Sequence, residues 1–124
     1  SNTSRNTMLG ALILSFSCAL PFQASASDLT EEQALDLLVN KVRSSRLYES
    51  RIKLECIGFK TEKQTRTAID FKVYENHRGA GCEGDKNTAP TLDRFRVIKK
   101  TKEIKWHEIN RDQFVSFEKA FKQK

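Results

Sequence analysis

Between Met8 and Leu20 the chain reads MLGALILSFSCAL, an apolar run without a single charge, and it decides how much of the remaining sequence is available to fold. The run is shorter than the roughly 20 residues a membrane-spanning helix needs. It also lacks the polar face that recurs at helical period in a helix packed on a core. Arg5 precedes it, Pro21 breaks it, and Ala24-Ser25-Ala26 follows with small residues at the spacing a signal peptidase accepts. The pattern predicts an export signal over residues 1–26 and one exported domain over residues 27–124. A lipid anchor on Cys18 is disfavoured, because Ser15 and Phe16 stand where that signal requires a Leu and a small residue. The expected location is periplasmic or secreted, with nothing spanning a membrane after processing.

Export governs the cysteines. Of the three, Cys18 lies in the signal, which leaves Cys56 and Cys82 in an oxidising compartment where an even count predicts one disulfide. Closing a loop of this length contributes about 3 kcal/mol, a large share of the stability of so small a domain. The bond also bears on the stretch ENHRGAGCEGDKNTAP at residues 75–90, where a histidine, a cysteine and acidic residues crowd together. An oxidised Cys82 is neither a nucleophile nor a thiolate ligand.

The elements are read from periodicity. Residues 28–45 predict a helix: Thr30 and Gln33 form a capping box, Glu31 and Glu32 suit the dipole, and Leu35, Leu38, Val39 and Val42 make one apolar stripe. Residues 51–59 alternate as a strand with Ile52, Leu54 and Cys56 on one face. Thr61 to Thr65 supplies a polar turn, and residues 65–76 a second strand with Ile69, Phe71 and Val73 inward and Asp70, Lys72 and Tyr74 outward. Residues 76–91, rich in glycine, form the longest loop. Phe95 and Val97 begin a third strand, and residues 104–109 form a fourth after the turn KKTKE. Phe114, Phe117 and Phe121 then share a face of a short C-terminal helix capped by Asn110 or Asp112. The fold class is α+β: an N-terminal helix, a four-stranded antiparallel sheet and a short C-terminal helix.

The residues HRGAGCEGDKNTAPTLDRFRV followed by KEIKW resemble a pattern in small exported bacterial proteins of uncharacterised function. In that pattern a histidine precedes Cys-Gly-Gly-Asp, then Thr-x-Pro, Asp-Arg-Phe-x-Val and a hairpin ending in Ile-x-Trp. His77, Cys82, Gly84, Asp85, Thr88, Pro90, Asp93, Arg94, Phe95, Val97, Ile104 and Trp106 match it. Glu83 replaces its first glycine, and Lys102 a frequent turn glycine. The resemblance implies a fold and a compartment rather than an activity. A weaker similarity, in TEEQAL and FRVIKKTKEIKW, is to PepSY-type domains, which are associated with inhibiting or chaperoning peptidases; a PepSY-like or cystatin-like fold is the corresponding expectation.

Two groups of residues are candidates for function. His77 and Asp85 lie in the stapled loop, where the alternative to binding is a small hydrolase with its site in residues 76–91. The spacing of His77, Glu83, Asp85 and His107 matches no metal-site pattern, and no nucleophile elbow, phosphate loop or dinucleotide fingerprint is present, so neither metal nor cofactor is expected. Asp85 and Asp93 are expected to cap turns or to pair with Arg94. The second group is basic: Arg94, Arg96, Lys100, Lys102 and Lys105 form a positive ridge on the third strand, the turn and the fourth strand. The ridge is either an edge protected by lysines or the contact for an anionic envelope macromolecule or acidic protein. Nucleic acid is not expected as a partner, since export removes the chain from it. The reading is an exported, non-enzymatic binding domain, an inhibitor or accessory protein for an envelope macromolecule.

Overall fold

The computed structural model describes residues 29–124. The export signal expected over residues 1–26, its expected cleavage site and Cys18 lie outside the described residues. Helix α1, Glu31–Ser45, begins where expected: the Thr30 side chain accepts from the Gln33 backbone N–H, and the Gln33 side chain accepts from the Thr30 N–H. It ends at Arg46, whose left-handed backbone turns the chain while its N–H bonds the carbonyls of Val42 and Arg43.

The chain does not then enter a strand at residue 51. The N–H groups of Arg51 and Ile52 are taken by the Tyr48 carbonyl, and Leu54–Cys56 form a single 3-10 turn. Local turns satisfy this backbone, so Ile52 and Leu54 pack against the core from a loop. Strand β1 is Ile57–Gln64 and therefore absorbs most of the segment expected to be a turn. The reversal falls instead at Thr65, whose hydroxyl accepts from the N–H groups of Thr67 and Ala68.

The other strands are β2 Ala68–Glu75, β3 Thr91–Ile98, β4 Ile104–Glu108 and β5 Gln113–Ser116, followed by helix α2, Phe117–Lys122. They make one antiparallel sheet in the order β1-β2-β3-β4-β5. The fifth strand departs from the expected four. Phe114 belongs to it rather than to the helix, and the helix cap is Ser116, whose hydroxyl accepts from the Lys119 N–H. Asp112 takes a left-handed conformation in the β4–β5 turn.

One face of the sheet is the core face. Ala34, Leu38 and Val42 of α1 cover Ile69, Phe71, Val73, Phe95 and Val97, all buried. Phe117 of α2 closes the other side of the core, with its ring 5.3 Å from Trp106 and 6.0 Å from Phe95. The opposite face of the sheet carries no packed element among the described residues, an arrangement antiparallel sheets permit.

Candidate functional site: a stapled loop and a cationic sheet face

The disulfide joins the 3-10 turn before β1 to the β2–β3 loop through Cys56 and Cys82, with 5.6 Å between their Cα atoms. Inside that loop His77 is 7 % exposed. Its Nδ1 lies 2.7 Å from the Asp85 carbonyl oxygen and its Nε2 2.9 Å from Glu75 Oε1. Both oxygens only accept, and a neutral imidazole has one N–H to give, so the geometry is satisfied by the doubly protonated ring. Hydrogen bonding to Glu75, then to the Asp85 carbonyl, raises the His77 pKa above its usual value. Gly84, at φ +105°, lies flat against this ring; a Cβ there would stand 2.7 Å from it. Gly84 is thus the residue whose missing side chain lets the imidazole lie against the loop backbone.

The chemistry open to this loop is narrow. While both nitrogens donate, His77 offers no lone pair to a proton or a metal. The Asp85 carboxylate faces the Asn87 N–H at 2.9 Å, a turn cap as expected, rather than the imidazole. Among the described residues no three His, Cys, Asp or Glu side chains converge as a metal site. His107 lies apart from the loop, with its Nε2 2.7 Å from Asp112 Oδ1.

Asp93 differs from expectation. It neither caps a turn nor meets Arg94, because adjacent strand residues point to opposite faces. Its carboxylate points into the core, where it accepts from the Tyr48 hydroxyl at 2.6 Å and from Trp106 Nε1 at 2.9 Å. Burial, reinforced by the Asp93 charge, pushes the Tyr48 phenol far above its ordinary pKa. Beside Tyr48 a mainly apolar cleft of about 360 Å³ opens between Val42, Ile52, Leu54 and Ile57, with Arg43, Arg46, Glu49, Lys53 and Glu55 on its walls.

The basic residues fall on two parts of the surface. Arg94 and Arg96 of β3 and Lys105 of β4 share the uncovered sheet face. Lys100 and Lys102 lie exposed in the β3–β4 turn, beside the β1–β2 hairpin to which the Lys99 N–H is tied through the Thr67 carbonyl. His77 and Asp85 are at the opposite end of the sheet, roughly 20 Å away along β2 by the rise of a strand. The seven predicted site residues therefore do not form one site.

An edge-protecting role for this ridge does not fit the topology. Strand β5 pairs with β4, so β3 and β4 are interior strands. The side chains of Arg94, Arg96 and Lys105 stand on a sheet face, and the free edges are β1 and the four-residue β5.

Three further residues of this face escape a reading by composition. In register, Lys60 of β1 stands opposite Lys72 of β2, and Lys72 stands opposite Arg94. Lys63 lies opposite Asp70, and Arg96 opposite Lys105. Two carboxylates oppose these cations. Asp70 takes two hydrogen bonds from the Arg96 guanidinium, at 2.7 and 2.9 Å, and Glu62 takes one from Arg94 at 2.9 Å. The Arg96 guanidinium also lies 4.1 Å from the centre of the Phe114 ring. Lys60, Lys63, Lys72 and Lys105 have no salt-bridge partner among the described residues. The outward alternation of Lys72 was readable in the sequence; the placement of Lys60 and Lys63 needed the true extent of β1.

Taken as a class, this is an α+β domain with one helix-covered sheet face and one open cationic face. No family model, curated protein or solved structure gives a significant match to the chain, so function is read from the geometry of its surfaces.

Proposed function

We propose that the chain is an exported, non-enzymatic domain that binds an anionic envelope macromolecule through the open face of its sheet. The observation carrying this reading is the set of like-charged neighbours in register on that face: Lys60 with Lys72, Lys72 with Arg94, and Arg96 with Lys105. Like charges directly opposite one another destabilise a sheet. A bound anion removes the cost, and it also attracts its partner before contact. The Cys56–Cys82 bond and the apolar run before Pro21 support export. A long helix preceding an antiparallel meander, together with the Ile-x-Trp hairpin, supports a PepSY-like or cystatin-like assignment and a role as an inhibitor or accessory protein.

The test compares two charge reversals. Lys72→Glu with Lys105→Glu alters the open face; Lys100→Glu with Lys102→Glu alters the turn. On an immobilised polyanion the wild type should be retained and released by salt, as screening shortens the Debye length to about 8 Å at physiological ionic strength. The face variant should elute at markedly lower salt, through slower association. Equal elution of wild type and face variant would remove the open face from consideration. For export, protein recovered from the envelope should have a mass that begins at Ser27.

A further inference from the structure

We infer that the ligand of the open face is an acidic oligosaccharide, with one sugar ring seated on Tyr74 and its acid groups on the row formed by Lys60, Lys72 and Arg94. This rests on the binding role proposed above and names its ligand class. Tyr74 is two residues from Lys72 on β2 and stands opposite Gly58 of β1. Its ring lies directly over that glycine; a Cβ on residue 58 would overlap the ring atoms. Gly58 therefore lets the phenol ring lie down on the sheet instead of standing away from it. Tyr74 is half-buried: it lies over the Gly58 backbone and keeps part of its surface open to solvent.

The row of cations runs across the strands. Adjacent strands are about 4.8 Å apart, so three residues in direct register span about 10 Å. That length accommodates two successive monosaccharides, whose charged groups can each meet a cation while the apolar C–H face of a ring packs on an aromatic surface. Glu62 engages Arg94, so the two lysines are the members of the row without a carboxylate. Asp70, the other carboxylate of the face, is held by Arg96. Asp70 is thus held away from the row, and an acid group of the ligand at Arg94 takes the place of Glu62 on its guanidinium.

The same face is poorly built for single-stranded nucleic acid. Such sites stack successive bases on several aromatic rings. Here the second aromatic, Phe114, lies under the Arg96 guanidinium and beside His107, whose ring centre is 5.1 Å away. That leaves Tyr74 as the ring available on the face.

The experiment titrates the full exported chain, residues 27–124, with four probes: a hexamer of galacturonic acid, a heparin hexasaccharide, an oligothymidylate of matching charge, and neutral dextran. Binding is read by calorimetry and by backbone chemical shifts. One or both acidic saccharides should bind, with shifts centred on Tyr74, Lys72 and Lys60, while dextran should not bind. Lys72→Gln should weaken binding about tenfold. Tyr74→Ala should weaken it at least as much, and Tyr74→Phe, which keeps the ring over Gly58, should restore it even if the alanine variant is poorly folded. Oligothymidylate binding as tight as the saccharides, or saccharide binding unchanged in both Lys72→Gln and Tyr74→Ala, would overturn the saccharide assignment while leaving a polyanion-binding role standing. Failure of all three anionic probes would overturn both.

Discussion

The Tyr48 hydroxyl donates to Asp93 Oδ2 across 2.6 Å, joining the loop after α1 to the third strand from inside the protein. Trp106 Nε1 donates to the other oxygen of the same carboxylate, so one acid satisfies two large aromatic side chains that the core could not otherwise bury. Asp93→Ala would leave a phenol and an indole N–H without partners. It should cost about 2 to 4 kcal/mol in urea unfolding, the range expected for breaking a buried, charge-assisted pair of hydrogen bonds. A loss below about 0.5 kcal/mol would show that water reaches the node.

The same phenol sets an alkaline limit. Its pKa is raised in the folded protein, so the folded state holds the proton more tightly than the unfolded chain does. The associated stability is complete below the ordinary tyrosine value of about 10 and falls as pH rises beyond it. The Tyr48 phenol should stay un-ionised in the folded protein, so its tyrosinate absorbance should appear only as the protein unfolds. Tyr48→Phe should flatten the alkaline fall in melting temperature.

His77 gives a second pH dependence, at the loop. Its pKa is raised by Glu75 and by the Asp85 carbonyl, so the stabilisation is fully present below the unfolded value of about 6.5 and is lost as pH rises through the folded value. Amide exchange in residues 76–90 should therefore accelerate, beyond its intrinsic pH dependence, as pH rises above the unfolded value of about 6.5. Glu75→Gln should move that transition to lower pH. Gly84→Ala, whose methyl would press on the imidazole at a φ only glycine tolerates, should produce the accelerated exchange at every pH.

Lys102 occupies a left-handed conformation, at φ +67°, in the β3–β4 turn. A non-glycine residue there is strained by about 1 to 2 kcal/mol, against which glycine loses about 0.5 to 1 kcal/mol of chain entropy. Lys102→Gly should therefore stabilise the domain by about 0.5 to 1 kcal/mol. A destabilised variant would mean that the lysine side chain has a compensating contact.

Where a signal was complete within a few residues, the sequence was a good guide. The Thr30–Gln33 capping box, the inward set Ile69, Phe71 and Val73, and the Cys56–Cys82 pairing all rest on local spacing or on counting. The strand expected at 51–59 failed because alternation of Ile52, Leu54 and Cys56 with charged residues imitates a strand. What broke it was the Tyr48 carbonyl taking the N–H groups of Arg51 and Ile52, which no periodicity reveals. Strand β5 was hidden by the spacing of Phe114, Phe117 and Phe121, which fits one helical face although Ser116 divides it. The candidate site was legible by halves. Alternation placed Arg94 and Arg96 together, but a register belongs to two strands at once, so the rows they form with Lys72, Lys60 and Lys105 had to be seen.

Every strand of this sheet pairs with the strand next to it in sequence. Such a sheet has no step in which a late segment must be threaded between two earlier ones, and short loop closures favour rapid assembly. A chain delivered N-terminus first can lay down α1 and then each hairpin in the order of emergence. The interior stays unsealed until the sheet is finished, because Phe117, in the helix that follows all five strands, supplies the aromatic side chain that packs on Phe95 and Trp106. Completion of the core thus waits for the segment that follows the finished sheet.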